Sequence, residues 1–121
     1  SSDLYFKGSV VAYSNDIKIK MLGVSPGTLD LYGAVSREVV EQMAGGIREL
    51  YNSDYSIAVS GIAGPTGGTK EKRVGTIWIA VAGPGQIIAR KYFFGNNRSF
   101  NILKTVNTAL VMLYRMILST E

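Results

Sequence analysis

Residues 75–82 read GTIWIAVA. The run is β-branched, aromatic and almost wholly apolar, with no polar residue on either alternate face after Thr76. A strand of that kind must be covered on both sides, so it belongs in the middle of a sheet. Gly83, Pro84 and Gly85 follow as a turn, and residues 86–94 then return as the second arm of a hairpin. Two further strands are expected, over residues 10–13 and 55–59.

With the helices the order is strand, helix, helix, strand, strand, strand, helix. Ser14 or Asn15 is placed to cap a short helix whose stripe is Ile17, Met21 and Leu22, ending at Gly23. Ser25, Pro26 and Gly27 read as a turn. Ser36 can cap a clear helix in which Val39, Val40, Met43, Ala44, Ile47, Leu50 and Tyr51 recur at three- and four-residue spacing. Gly45 and Gly46 interrupt it at a cost in helix propensity, and bare backbone there allows close packing on a neighbour. After Asn96 and Asn97 comes a terminal helix with a stripe of Leu103, Val106, Leu110, Leu113 and Ile117, widened by Ile102, Ala109 and Met116. This order predicts one layered α/β domain with a mixed sheet.

Composition removes whole classes of chemistry. The 121 residues contain no Cys and no His. This chain by itself therefore cannot build a Ser-His-Asp triad, a Cys-His pair or a typical zinc site. A general base must be Lys, Tyr, Asp or Glu, or come from another chain. A Lys base at neutral pH needs its proton affinity lowered by burial or by nearby positive charge. The net charge of +4 suits an anionic ligand. Lys and Arg are scattered among acids rather than clustered, which argues against a nucleic-acid partner. Residues 1–7 lack the basic head and apolar run of a secretory signal. The longest uninterrupted apolar stretch, residues 77–82, is far short of the roughly 20 residues that cross a bilayer. A cytoplasmic protein with no membrane partner is expected. Nothing points to a metal or an organic cofactor.

Ligands of open α/β sheets sit beyond the carboxyl ends of strands. Two polar clusters fall at such ends. Tyr13, Ser14, Asn15 and Lys18 follow the first strand, and Ser60 opens SGIAGPTGGT after the second. Glycines let a ligand approach backbone N–H groups, and consecutive N–H groups can cradle an anion. The segment does not fit a phosphate loop: Lys70 lacks the preceding Gly, no helix follows, and G-x-G-x-x-G is absent. A connecting turn and a ligand loop both stand as readings of it. Lys18 alone reads either as a solvated charge or, sharing the buried side of Met21 and Leu22, as a base. Tyr13 at a strand end is commonly a packing residue. Arg98, at a helix start, opposes the helix dipole; a bound anion or no role at all fits it equally.

Four blocks then carry a resemblance: YFKGSVVAYSNDIKIKMLGVSPGTL, GAVSREVVEQMAGGIREL, AVSGIAGPTGGTKEKRVGTIWIAV and FFGNNR, in that order along nearly the whole chain. They resemble the CinA C-terminal domain family. The glycine block ending in V-G-T is the most specific, and Y-S-N-x-x-K supports it independently. The resemblance implies a three-layer α/β/α sandwich, one such domain over residues 1–121. It also implies an amidohydrolase that converts nicotinamide mononucleotide to nicotinate mononucleotide and ammonia by Ser-Lys chemistry. In that reading Lys18 is the base and Tyr13 orients the proton transfer. Ser60 stands where the family has a loop Thr and helps hold the oxyanion. Arg98 contacts the anionic substrate, with backbone approach at Gly61, Gly64, Gly67 and Gly68.

Two departures accompany the resemblance. The family's nucleophilic Ser lies in an S-C-T-G-G segment upstream of Y-F-x-G, and these residues contain neither that segment nor the family's first strand and helix. The domain is therefore expected to be N-terminally incomplete and inactive alone, and the open sheet edge suggests self-association. Where the family has K-P-V-G, this chain has Lys72, Arg73, Val74 and Gly75. The alternative reading is a non-catalytic module that binds a nucleotide or a protein.

Overall fold

The computed structural model describes residues 15–61, 75–95 and 97–120, without the side chains of residues 15–17, 98 and 120. Its elements run α1 (Asn15–Lys20), α2 (Pro26–Tyr32), α3 (Arg37–Tyr51), β1 (Ser56–Gly61), β2 (Thr76–Gly83), β3 (Gln86–Phe93) and α4 (Arg98–Thr120). The three strands form one sheet in the order β1-β2-β3. GTIWIAVA is its middle strand, as its two apolar faces demand, with Ile79, Ala80 and Val81 wholly buried.

Alternation along β2 sorts the core into two unlike halves. Ile77, Ile79 and Val81 face Ala109, Met112 and Met116 of α4. Ala80 and Ala82 face the other way, with Ala58 of β1, onto Leu22, Val24, Val39, Val40, Met43 and Ala44. Helices thus cover both faces: α1, α2 and α3 on one, α4 on the other. Each fully buried Val, Leu or Ile contributes about 1.5–3 kcal/mol by leaving water.

Local signals start and stop α3. The Ser36 hydroxyl accepts a hydrogen bond from the Val39 N–H at 3.2 Å, satisfying one orphan donor of the first turn. Asn52, in the left-handed conformation at φ 48°, closes the last turn through Arg48 and Glu49 carbonyls. The paired glycines divide their labour. A Cβ on Gly46 would stand only 1.6 Å from the Leu22 carbonyl oxygen, so bare backbone there is what lets the chain after α1 lie against α3. A Cβ on Gly45 would meet only Ile87 Cδ1, at an ordinary 3.7 Å.

Four expectations change. Residues 25–27 are not a free turn: Pro26 opens α2, because a proline in the first helical turn lacks only an N–H that would be unpaired anyway. Met21, assigned to the stripe of α1, is exposed, while Leu22 is buried. The three described strands pair only antiparallel; the mixed sheet depended on residues 10–13, which lie outside the described residues. On α4 the sheet takes Asn101, Ala109, Met112 and Met116, whereas Ile102, Leu103, Val106 and Leu110 face outward. That leaves a large apolar stripe of the kind proteins ordinarily cover. α4 is apolar around most of its girth, so periodicity alone could not choose which stripe meets the sheet. For the same reason residues 99–119 form one helix long and apolar enough to cross a membrane by length and composition. A count of consecutive apolar residues overlooked it because its polar interruptions are mostly uncharged.

The two glycines give a sharp contrast. Gly45→Ala should raise stability by up to about 1 kcal/mol through helix propensity. Gly46→Ala should lower it by about 3 kcal/mol or more, because backbone rather than a flexible side chain must move. Urea unfolding followed by far-UV circular dichroism measures both.

Candidate functional site

β1 places Ser56, Ala58 and Ser60 on the face covered by α3. Both serines reach into the helical layer. Ser56 Oγ donates to the Ala44 carbonyl at 2.6 Å, and Ser60 Oγ donates to the Ala34 carbonyl at 2.7 Å. Small side chains on this face let the helix layer approach closely enough for these bonds. Ser60 is 9% exposed. Its single hydroxyl proton goes to Ala34, so toward any other group the oxygen acts as an acceptor. To donate to an oxyanion it must rotate off Ala34.

The neighbours of Ser60 follow from register. Trp78 is its cross-strand partner on β2, and Lys91 lies beyond Trp78 on β3. The Arg37 guanidinium stands 5.5 Å above the Trp78 ring, a cation–π contact worth about 0.5–1 kcal/mol at a partly exposed site. Arg37 is the first residue of α3 and Ala34 lies just before its cap. The carboxyl end of β1, the amino end of α3 and the sole Trp of the chain therefore meet at one place. Neither Arg37 nor Trp78 was singled out from sequence. The available signal was a lone bulky aromatic on the strand face that otherwise carries Ala80 and Ala82.

Lys18 is 7% exposed. Its carbonyl accepts from the Val24 N–H at 2.9 Å, closing the turn after α1. The adjacent Ile19 packs on the cluster that contains Ala58 and Val39. Lys18 is thus buried on α1 in the helical layer, over the face of the sheet to which Ser60 of β1 points. No hydrogen bond joins them. The Glu38 carboxylate oxygen Oε2 is buried with no partner among the described residues, in the first turn of α3 where the helix dipole favours negative charge.

Gly61 ends β1 and is described; a Cβ there would stand 2.9 Å from Ile77 Cγ1. Tyr13, Gly64, Gly67, Gly68 and Arg73 lie outside the described residues. The backbone of Arg98 opens α4, after Asn97 whose Oδ1 accepts from the Phe100 N–H at 2.9 Å; the Arg98 side chain is not described. Gly61 and the end of β3 that leads toward the Arg98 backbone fall at one end of the sheet, since Gly61 pairs with Ile77 and Thr76 with Phe93. A hollow of about 410 Å³ between β3 and α4, bordered by Arg90, Tyr92, Asn107 and Arg115, lies across the sheet from Lys18 and Ser60. It holds none of the candidate residues. Among the described residues no group of three or more Asp and Glu is placed to hold a metal ion.

The CinA C-terminal domain matches residues 1–117. The chain belongs to that family. It is 48% identical over 118 residues to a CinA-like protein of Endomicrobium trichonymphae, covering 98% of this chain and 28% of that one. It is 44% identical over 115 residues to a putative competence-damage inducible protein of Halothermothrix orenii, covering 94% and 28%. Among solved structures it is similar to the competence/damage inducible protein CihA of Agrobacterium tumefaciens. There the TM-score is 0.84 at 42% identity, over 87% of this chain and 65% of that one. The competence damage-inducible protein A of Klebsiella pneumoniae gives 0.83 at 36% identity, over 89% and 67%. The chain therefore spans little more than a quarter of the length of the curated relatives it matches, at 28% for the first of them.

The serine pair is open to a direct check. Ser56→Ala and Ser60→Ala should each lose about 1 kcal/mol, the net worth of one hydrogen bond. Chemical denaturation would show it. A far larger loss at Ser60 alone would mean that its hydroxyl carries more than the Ala34 bond.

Proposed function

We propose that this chain is the lysine-bearing part of a nicotinamide-nucleotide amidohydrolase. The observation that carries the reading is the burial of Lys18 on α1, a helix of the layer that covers the sheet face toward which Ser60 of β1 points. Membership of the CinA C-terminal domain family, whose enzymes pair a Ser nucleophile with a Lys base, supports it, and the absence of His and Cys from these residues is consistent with that pairing.

In the proposed reaction the nucleophile is the Ser of the family's S-C-T-G-G segment. Its oxygen attacks the carboxamide carbon of nicotinamide mononucleotide while the Lys18 amine takes its proton. The tetrahedral intermediate carries an oxyanion, held by backbone N–H groups of the glycine segment and by Ser60 once its hydroxyl turns from Ala34. Donors of this kind are each worth about 3–4 kcal/mol of barrier. Collapse expels ammonia, which receives the proton from Lys18. Water then hydrolyses the acyl-enzyme to nicotinate mononucleotide, with Lys18 again as base. In this reading Tyr13 orients the Lys18 proton, and Arg98 contacts the anionic substrate or intermediate. The exposed cation Arg37, fixed over Trp78, adds positive charge beside the same strand end.

The intact gene product should release ammonia from nicotinamide mononucleotide, and the 121 residues alone should release none. Lys18→Ala in the intact protein should lower kcat by on the order of 10²–10⁴-fold, the usual worth of a general base. Failure of the intact wild-type protein to release ammonia would favour the alternative, a module that binds a nucleotide or protein without turnover. Calorimetric titration with the same nucleotide would then separate those two ligands.

A further inference from the structure

Asn101 is a polar residue where the packing calls for an apolar one. It is 3% exposed, on the face of α4 that Ala109, Met112 and Met116 share against the sheet. Its Nδ2 donates to the Gly95 carbonyl at 2.7 Å. Its Oδ1 is buried and has no hydrogen-bond partner among the described residues. The side chain thus holds the Gly95 carbonyl while leaving one buried oxygen unsatisfied.

What the amide holds is a crowded corner. Gly75 sits at φ 91°, and a Cβ on it would stand 2.1 Å from the Gly95 carbonyl oxygen. The Phe94 N–H donates to the Gly75 carbonyl at 3.1 Å. The Gly95 carbonyl is therefore wedged between the Gly75 backbone and the Asn101 amide. Gly75 immediately precedes β2 and, in sequence, follows the glycine segment. Gly95 lies two residues past the end of β3 and three before Arg98, the first residue of α4. The Asn101 side chain holds the Gly95 end, and backbone contacts of Phe94 and Gly95 join that end to Gly75.

We propose that Asn101 is a positioning residue of the site: through the Gly95 carbonyl it sets the Arg98 backbone relative to the end of the glycine segment. This rests on the amidohydrolase reading. The test is Asn101→Leu in the intact protein. Two effects on stability oppose each other, since the variant removes the stranded oxygen but also strips the Gly95 carbonyl of its donor, so activity is read at a temperature where the variant is fully folded. Its kcat/KM for nicotinamide mononucleotide should fall about tenfold or more, mainly through KM, as a misplaced binding group requires. Asn101→Asp, which keeps the shape and loses the donor, should show the same rise in KM. A kcat/KM within about threefold of wild type for Asn101→Leu, measured where the variant is fully folded, overturns the proposal. If the wild-type protein does not turn over this substrate, amide hydrogen exchange decides instead. The Phe94 amide should then exchange about tenfold faster or more in Asn101→Leu, and an unchanged rate at Phe94 overturns the proposal.

Discussion

Everything in this domain is arranged around the burial of β2 from both sides. A strand with Ile79, Ala80 and Val81 wholly buried has no face left for water. Its backbone groups must then be satisfied by strands on both edges, which β1 and β3 provide. Its side chains must be covered by helices above and below. The two faces differ in bulk, and that difference sets the rest. The isoleucine and valine face takes the long, methionine-bearing α4, whose flexible side chains fill an irregular surface. The alanine face takes α3 at close range.

Close range on the alanine face has consequences for chemistry. It brings helix-layer carbonyls within reach of serine hydroxyls on β1, so Ser56 and Ser60 act as clips between strand and helix layer. It also requires Gly46, where the carbonyl of Leu22 touches α3. That contact fixes the end of α1 and, with it, Lys18. The burial of Lys18 is thus a result of packing between two backbones rather than of anything local to the six-residue helix that bears it. The proposed base lies over the sheet face toward which the proposed oxyanion residue points, because the same small residues draw the helical layer onto the sheet.

Much of the candidate site was legible as residue types and little of it as geometry. Lys18 and Ser60 could be picked out because each follows an apolar strand in a chain with no His or Cys. Their common face could not be read, because it depends on how α1 lies across α3. Arg37 and Trp78 escaped notice because register, not spacing, sets Trp78 opposite Ser60. Asn101 escaped because an asparagine near a helix start reads as a cap. In the structure Asn97 holds that role and Asn101 is buried one turn further on.

The sequence by itself determined the kinds and order of the main elements: the two-faced central strand, its hairpin partner, the Ser36-capped helix and the terminal helix. Each rests on periodicity or on a local hydrogen bond, which neighbours in the chain suffice to specify. Family membership was likewise legible, through the ordered blocks around the glycine segment. Only the tertiary structure decided that Pro26 begins a helix, that α4 turns Ala109 and Met116 rather than Leu103 and Val106 to the sheet, and that Asn101 holds the Gly95 carbonyl. Those outcomes depend on which surfaces fit against each other, and complementary shape is a property of pairs of elements that no single segment encodes.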